Sequence, residues 1–403
     1  MSICVTQRYS NIATLTGFVR FALADQYSMI LKQDGSLWST ATTLPLDLVA
    51  RGVGKHFVRM IASGITALAA ATAFSIVLKQ DGSVWGMGRN SRGQLGRGDK
   101  LVKEKFSWSR NIPGAKAVAA GSYHSMVLTR SGDLWSTGWN QYGQLGGVRV
   151  SLTSKFRLIM IGVEVMAAGD SHSILIKEDG SVWATGRNYN GQLGDGSKND
   201  RSSFVQVMSD GAAEVAAGAE HSVVLKQDGS VWATGWNKFG QLGDGSTTDQ
   251  HNYVQVFLGG VKSIAAGDEY TMVLRQDGSV WATGCNLNGQ LGLGTAIDSQ
   301  LFVQVINGGV QVIAAGAFHS MVLKQDGSIW ATGANEYGQF GDGSTTSESR
   351  FVRLEEPFIH GVGHDTITCT CFYSIQITCS QRLIKCNQQT VLRRMRRKNQ
   401  ASP

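Results

Sequence analysis

A phrase close to Leu-Lys-Gln-Asp-Gly-Ser-Val-Trp-Ala-Thr-Gly returns seven times along this chain at a nearly constant step. The Gly of its Asp-Gly or Ser-Gly pair stands at 35, 82, 132, 180, 229, 278 and 327, at intervals of 47, 50, 48, 49, 49 and 49 residues. A period of this length marks one supersecondary unit copied and set against its neighbours, because a single copy cannot bury its own faces. The fold is decided by what one unit is and how the copies meet.

The copy over 216–246 shows the unit. His221 to Lys226 and Ser230 to Thr234 are short β-branched and apolar runs separated by Gln227-Asp228-Gly229. Asp-Gly between two such runs is a hairpin signal, since the tight turn needs a positive φ that Gly supplies. Downstream, Gly240-Gln241-Leu242-Gly243 reads as a Gly-bracketed turn, and Tyr253 to Phe257 as a further strand before Ala265-Ala266-Gly267. Three or four short strands per repeat, with no helical periodicity, predict an all-β chain. Fifty Gly and four Pro fit that many tight turns. Radially repeated antiparallel sheets form a propeller, which leaves only short edges exposed.

The phrases Ala-Ala-Gly-x-x-His-Ser, Val-Trp-x-x-Gly-x-Asn and Gly-Gln-Leu-Gly resemble the regulator of chromosome condensation (RCC) repeat family. They occur in full at 119–146, 167–197, 216–246, 265–294 and 314–344; a sixth copy at 69–98 has Ala71 in place of the first Gly. Ala24 to Thr40 is a half-copy that lacks Gly-Gln-Leu-Gly. The resemblance implies a seven-bladed β-propeller of RCC type, with six blades or an imperfect seventh as the alternative. The expected organisation is an N-terminal segment 1–23 that helps complete the closing blade and a repeat propeller over 24–350. A degenerate closing segment over 351–380 supplies missing strands, and 381–403 is a disordered basic tail.

The net charge of +7 belongs to that tail. Residues 381–403 hold Arg382, Lys385, Arg393, Arg394, Arg396, Arg397 and Lys398 and no acid, so the remainder sums to zero. The run Arg393, Arg394, Arg396, Arg397, Lys398 has the form of a nuclear-import or phosphate-binding signal. No stretch of 18 apolar residues is present and Met1 to Ser10 lacks the pattern of a signal peptide, so neither membrane nor secretion is expected. Cys285 alone falls in the repeat body, which suits a reducing compartment, cytoplasmic or nuclear.

Repetition explains most residues that invite a chemical role. A Trp three residues after each turn Gly (Trp38, Trp85, Trp135, Trp183, Trp232, Trp281, Trp330) is expected between blades, where a large ring fills the taper. His124, His172, His221 and His319 share one offset with Tyr27, Phe74 and Tyr270, and a position that accepts Phe is no metal ligand; packing with an imidazole hydrogen bond is expected. Asp195-Gly196-Ser197, Asp244-Gly245-Ser246 and Asp342-Gly343-Ser344 lack the alternating carboxylates of a calcium loop and read as turns. Cys369, Cys371, Cys379 and Cys386 match no common zinc spacing. No cofactor is expected.

Positions that vary inside the fixed frame carry more information. The residue after Gly in Gly-x-Asn-x-x-Gly-Gln reads Arg89, Trp139, Arg187, Trp236, Cys285 and Ala334, and the following pair supplies Arg92, Tyr142, Tyr189, Lys238, Phe239 and Tyr337. On a propeller these share one rim, and Arg with Trp and Tyr is the composition of protein-binding hot spots; padding of blade junctions is the bland alternative. Arg97, Lys100, Lys103, Lys105, Arg110 and Lys116 around Phe106 and Trp108 form a basic-aromatic stretch of the kind that meets phosphate backbones.

No catalytic constellation is present, and the expected function is a non-catalytic, monomeric protein-interaction platform. The founding member of the resembled family promotes nucleotide exchange on a small nuclear GTPase and docks on nucleosomes. The resemblance therefore implies a protein partner such as a small GTPase, with chromatin or nucleic acid met through the basic tail. A substrate-recruiting adaptor of a ubiquitin ligase is the other reading.

Overall fold

The computed structural model describes residues 20–41, 53–147, 150–354, 367–369 and 377–379. It is all-β and seven-bladed. Each blade is a four-stranded antiparallel sheet with strands in sequence order, innermost first. Blade one comprises Arg20–Leu23, Ser28–Leu31, Leu37–Ala41 and Val53–Ile61. Blade two begins at Ile65, blade three at Ala115, blade four at Val163, blade five at Ala212, blade six at Val261 and blade seven at Val310, which ends with Glu348–Arg353. A separate unit, Glu355–Pro403, contains a short hairpin of Ile367–Cys369 with Ile377–Cys379. Among the described residues no helix is long and apolar enough to cross a membrane.

The hairpin forms for a local reason. Lys226 N–H donates to Ser230 O (2.9 Å), enclosing Gln227-Asp228-Gly229, and Gly229 takes φ 81°. Asp228 Oδ1 accepts from Ser230 N (2.8 Å), and Ser230 Oγ in turn accepts from Trp232 Nε1 (3.1 Å). The turn thereby aims the Trp. Trp232 packs half-buried against the core shared by blades four and five, with Lys226 Nζ 5.0 Å from its ring centroid. The same residue type fills the other seams whose cores are described, including Trp183 between blades three and four and Trp330 between six and seven. The expected inter-blade role of these rings holds.

Each of these cores straddles two blades. Between five and six, Val223, Leu225 and Leu242 meet Ile264, Ala266 and Val273, all at most 4% exposed. Full burial of one such side chain contributes about 1.5–3 kcal/mol, and the ring repeats the arrangement.

The Gly-Gln-Leu-Gly turn is a clasp on the next blade. Leu242 N–H donates to Asn237 Oδ1 (3.0 Å) and Phe239 N–H to Gln241 Oε1 (3.0 Å), which fixes the turn internally. Gly243 (φ 77°) then lies flat on the ring of Phe302, where a Cβ would come within 2.5 Å. Equivalent pairs are Gly96 on Phe156, Gly146 on Phe204, Gly194 on Tyr253, Gly292 on Phe351 and Gly341 on Phe57. Asp195 is turn chemistry, as its sequence suggested: it accepts from Ser197 N (3.0 Å) and Asn188 Nδ2 (2.9 Å).

The Gly341–Phe57 clasp joins blade seven to blade one, so the ring closes by lateral docking. All four strands of blade seven lie within 310–353 and all four of blade one within 20–61. From the two flanking segments, Arg20–Leu23 is the innermost strand of blade one and 351–353 end the outer strand of blade seven. The half-copy at Ala24 to Thr40 is a full blade because Val53–Ile61 forms its fourth strand without any recognisable phrase.

Candidate interaction face

Antiparallel order puts the loops after the first and third strands of every blade on one face, opposite the Asp-Gly turns. The loop after the first strand carries Gly-x-x-His. In blades three, four and five its His points inward: Nε2 lies 2.9 Å from Ser173 Oγ for His124, 3.0 Å from Ser222 Oγ for His172 and 3.1 Å from Thr271 Oγ1 for His221. These hydroxyls donate their single proton to the carbonyls of Gln144, Gln192 and Gln241, each at 2.7 Å. Each imidazole is therefore the Nε2–H donor. Tyr27 with Ser75, Tyr270 with Ser320, and His319 with Ser28 bridge three further seams. Phe74, between blades two and three, makes no such bond. Burial pushes His172 down to about 4 and His124, His221 and His319 to about 3. The His positions pack and hydrogen-bond, as expected.

Above this layer the variable residues meet. Trp139 N–H donates to Tyr123 O (2.9 Å), which places the residue after the third-strand Gly beside the second variable position of Gly-x-x-His. Trp139 packs edge-on to Tyr123 (5.6 Å) and Tyr142 (5.3 Å). Arg92 lies 5.3 Å from the Trp139 centroid, and Arg187 lies 5.7 Å from that of Tyr142. Arg187 Nη1 then pairs with Glu220 Oε1 at 2.6 Å, and Asn190 Nδ2 donates to the other carboxylate oxygen. The result is one continuous chain of contacts across blades two to five. Trp236 packs on Phe239 (5.5 Å), with Lys238 5.6 Å from the Phe239 ring.

Nearer the axis the loops are acidic. Burial pushes Asp170 up to about 7, with Asp268 adding to the effect, and Asp170 accepts from Ser122 Oγ at 2.6 Å. Asp268 and Glu269 are also raised, chiefly by burial. A basic and aromatic arc thus surrounds an acidic centre.

The description of the RCC1-like domain matches residues 5–256 and again 150–386. The chain belongs to the RCC1-like domain family. No curated protein matches it by sequence. Among solved structures it is similar to human WBSCR16, at 24% identity and a TM-score of 0.69, covering 76% of this chain and 86% of that one. It is also similar to Prp20p of Saccharomyces cerevisiae, at 20% identity and a TM-score of 0.67, covering 78% and 83%. Yeast RCC1 (Prp20) bound to Kap60 gives 20% identity, a TM-score of 0.66, and 76% and 79%. At these identities the likeness is one of fold.

In this RCC1-like ring Arg92, Trp139, Tyr142 and Arg187 are brought into one group and Trp236, Lys238 and Phe239 into a second. Tyr189 is 68% exposed beside the first group, and Arg89 is half-buried on blade two. Tyr337 stands on blade seven, away from both. Cys285 and Ala334 are buried and present nothing outward. Arg393, Arg394, Arg396, Arg397, Lys398 and the side chains of Cys369, Cys371, Cys379 and Cys386 lie outside the described residues.

Sequence reading missed Tyr123, Asn190 and Glu220, which complete the first group, and the exposed Leu287 (64%) and Ile297 (71%) on the same face of blade six. The available signal was variation at the Gly-x-x-His pair, which only the fold sets against the other loop. Part of the basic-aromatic stretch is structural, while Trp108 within it is 53% exposed. Lys103–Asn111 is the outer strand of blade two, Arg110 lies 5.2 Å from the Trp135 centroid, and Arg97 pairs with Asp99 at 3.5 Å.

Proposed function

We propose that this RCC1-like propeller is a non-catalytic platform that binds another protein through its loop face. The observation that carries the reading is the contiguous Arg92–Trp139–Tyr142–Arg187 group, in which aromatic rings are pre-positioned by edge contacts and cations by ring faces and Glu220. Rigid aromatic and Arg anchors lose little side-chain freedom on binding, which is why they dominate interfaces. An arc of cations around an acidic centre suits a partner that itself carries both charges.

The specific partner we favour is a small GTPase in an intracellular, nuclear or cytoplasmic setting, with the protein acting as an exchange or regulatory factor. Prp20p, which shares the fold, is described by its binding properties to Gsp1p and histones. Exchange needs no acid–base residues; it needs tighter binding of the nucleotide-free GTPase than of the loaded form. Release of fluorescent GDP from a panel of small GTPases tests this. Accelerated release that is lost in Trp139→Ala is expected, and flat traces across the panel would reject the exchange reading. Capture of the nucleotide-free GTPases by immobilised propeller tests the platform itself.

A further inference from the structure

The seam between blades six and seven opens on the outer wall of the ring into a groove of about 400 Å³. Its floor is the half-buried apolar set Leu293, Val305, Ile306, Trp330 and Phe351. Lys324 Nζ lies 3.9 Å from the Trp330 centroid, and the exposed Arg350 stands at the groove edge.

The other seams show why this one differs. The residue after the clasp Gly bridges to a fixed place on the next outer strand: Asp195 to Asn252, Asp244 to Leu301, Asp342 to His56. Those positions carry an acid. In blade six the acid is replaced by Leu293 and its bridging partner is Arg350. A carboxylate has been lost and a cation gained at one pair. Arg97 and Lys155 between blades two and three, and Gly147 between blades three and four, also lack the acid, but Asp99 pairs with Arg97 at the first and Gly147 brings no side chain to the second. Among the described residues no carboxylate comes within ion-pair distance of Lys324 or Arg350. The nearby Asp326 is turned to Ser328, whose hydroxyl donates to it at 2.6 Å.

We infer that this groove binds a small organic anion: one negative group on an apolar body of one or two rings, the rings on Trp330, Phe351 and Leu293 and the charge between Lys324 and Arg350. The volume is in the range of small-molecule sites, and an apolar floor with a few converging charges is their usual composition. The inference is independent of the loop-face reading.

The test is a fluorescence titration of the full chain with 8-anilinonaphthalene-1-sulfonate, beside N-phenyl-1-naphthylamine, which has the same rings and no charge. Saturable 1:1 binding of the sulfonate is expected, at least about tenfold tighter than the uncharged probe and weakened by salt. Arg350→Gln and Leu293→Asp, the latter restoring the acid found at other seams, are each expected to weaken it about tenfold. Absence of sulfonate binding, equal binding of the two probes, or unchanged affinity in both variants overturns the assignment. Should Leu293→Asp fail to fold, Arg350→Gln decides alone, since its side chain is exposed.

Discussion

His319 Nε2 lies 2.8 Å from Ser28 Oγ, joining residues 291 positions apart and linking the last blade to the first. Tyr27 makes the analogous bond across the next seam, to Ser75 Oγ at 2.7 Å, using a phenol in place of an imidazole. The seam between blades two and three has Phe74 at this place and Ser125 opposite, whose hydroxyl donates to Gln94 O at 2.7 Å.

Phe74→Tyr is therefore expected to stabilise the fold by about 1 kcal/mol, the net value of one buried hydrogen bond. Tyr27 shows that a Tyr fits above an Ala, since Ala24 and Ala71 hold the same place in their loops. Phe74→His should instead destabilise, because each of these imidazoles rests on a Gly: a Cβ at Gly218 would lie 2.1 Å from His221 Cε1. Adding Ala71→Gly should recover the loss. Urea midpoints of the single and double variants check both statements.

Stability should rise from about pH 3 to a maximum near pH 6.5 and fall above it. The four buried His have folded values near 3–4, below the unfolded 6.5, so their contribution is complete above pH 6.5 and falls as pH drops towards 3. Burial pushes Glu214 up to about 8 and Asp170 to about 7, so theirs is complete below about pH 4 and is lost as pH rises through 7–8. Each group acts with a slope of at most about 1.4 kcal/mol per pH unit. Between about pH 4.5 and 6.5 the two sets oppose one another and the four His outweigh the two acids, so stability still rises. Glu214→Gln should flatten the alkaline limb, steepen the rise between about pH 4.5 and 6.5, and leave stability below about pH 4 unchanged. Urea midpoints from pH 3 to 9 measure this, and a monotonic rise to pH 9 would contradict it.

Two classes of Trp should separate experimentally. Trp139→Ala is expected to weaken partner capture by tenfold or more, in the range of an interface anchor, while lowering stability by only about 1 kcal/mol. Trp183→Ala, in the seam core, is expected to cost about 3–5 kcal/mol with partner affinity unchanged per folded molecule. Capture and denaturation on the same preparations distinguish the two.

The clasp should be as sensitive as the core. Leu242 is fully buried, so Leu242→Ala is expected to cost about 2–5 kcal/mol. Gly243→Ala should cost at least as much, from its positive φ and the overlap with Phe302. Chemical denaturation measures both.

The repeated parts of this molecule were legible in the sequence because the chain states them seven times. Asp228-Gly229 forms the turn it suggested, Trp232 packs between blades, and His221 bonds across a seam. The closure was not legible. Val53–Ile61 forms a strand with none of the phrase residues, so blade one read as a half-copy and later residues were assigned to complete the ring. Arg187, Tyr142 and Trp139 were recognised as one class of variable residue. Glu220 was not, because its partner Arg187 is 33 residues away and only the stacking of neighbouring sheets brings them together.

All six clasps run in one rotational sense, from each blade onto the outer strand of the next. Phe57 is the one seat that precedes its clasp in the chain, so it is covered only after Gly341 has been made. A chain halted after its sixth blade would display a bare aromatic side chain at its leading end. An unclosed ring thus differs from a closed one by apolar surface that only the last blade covers.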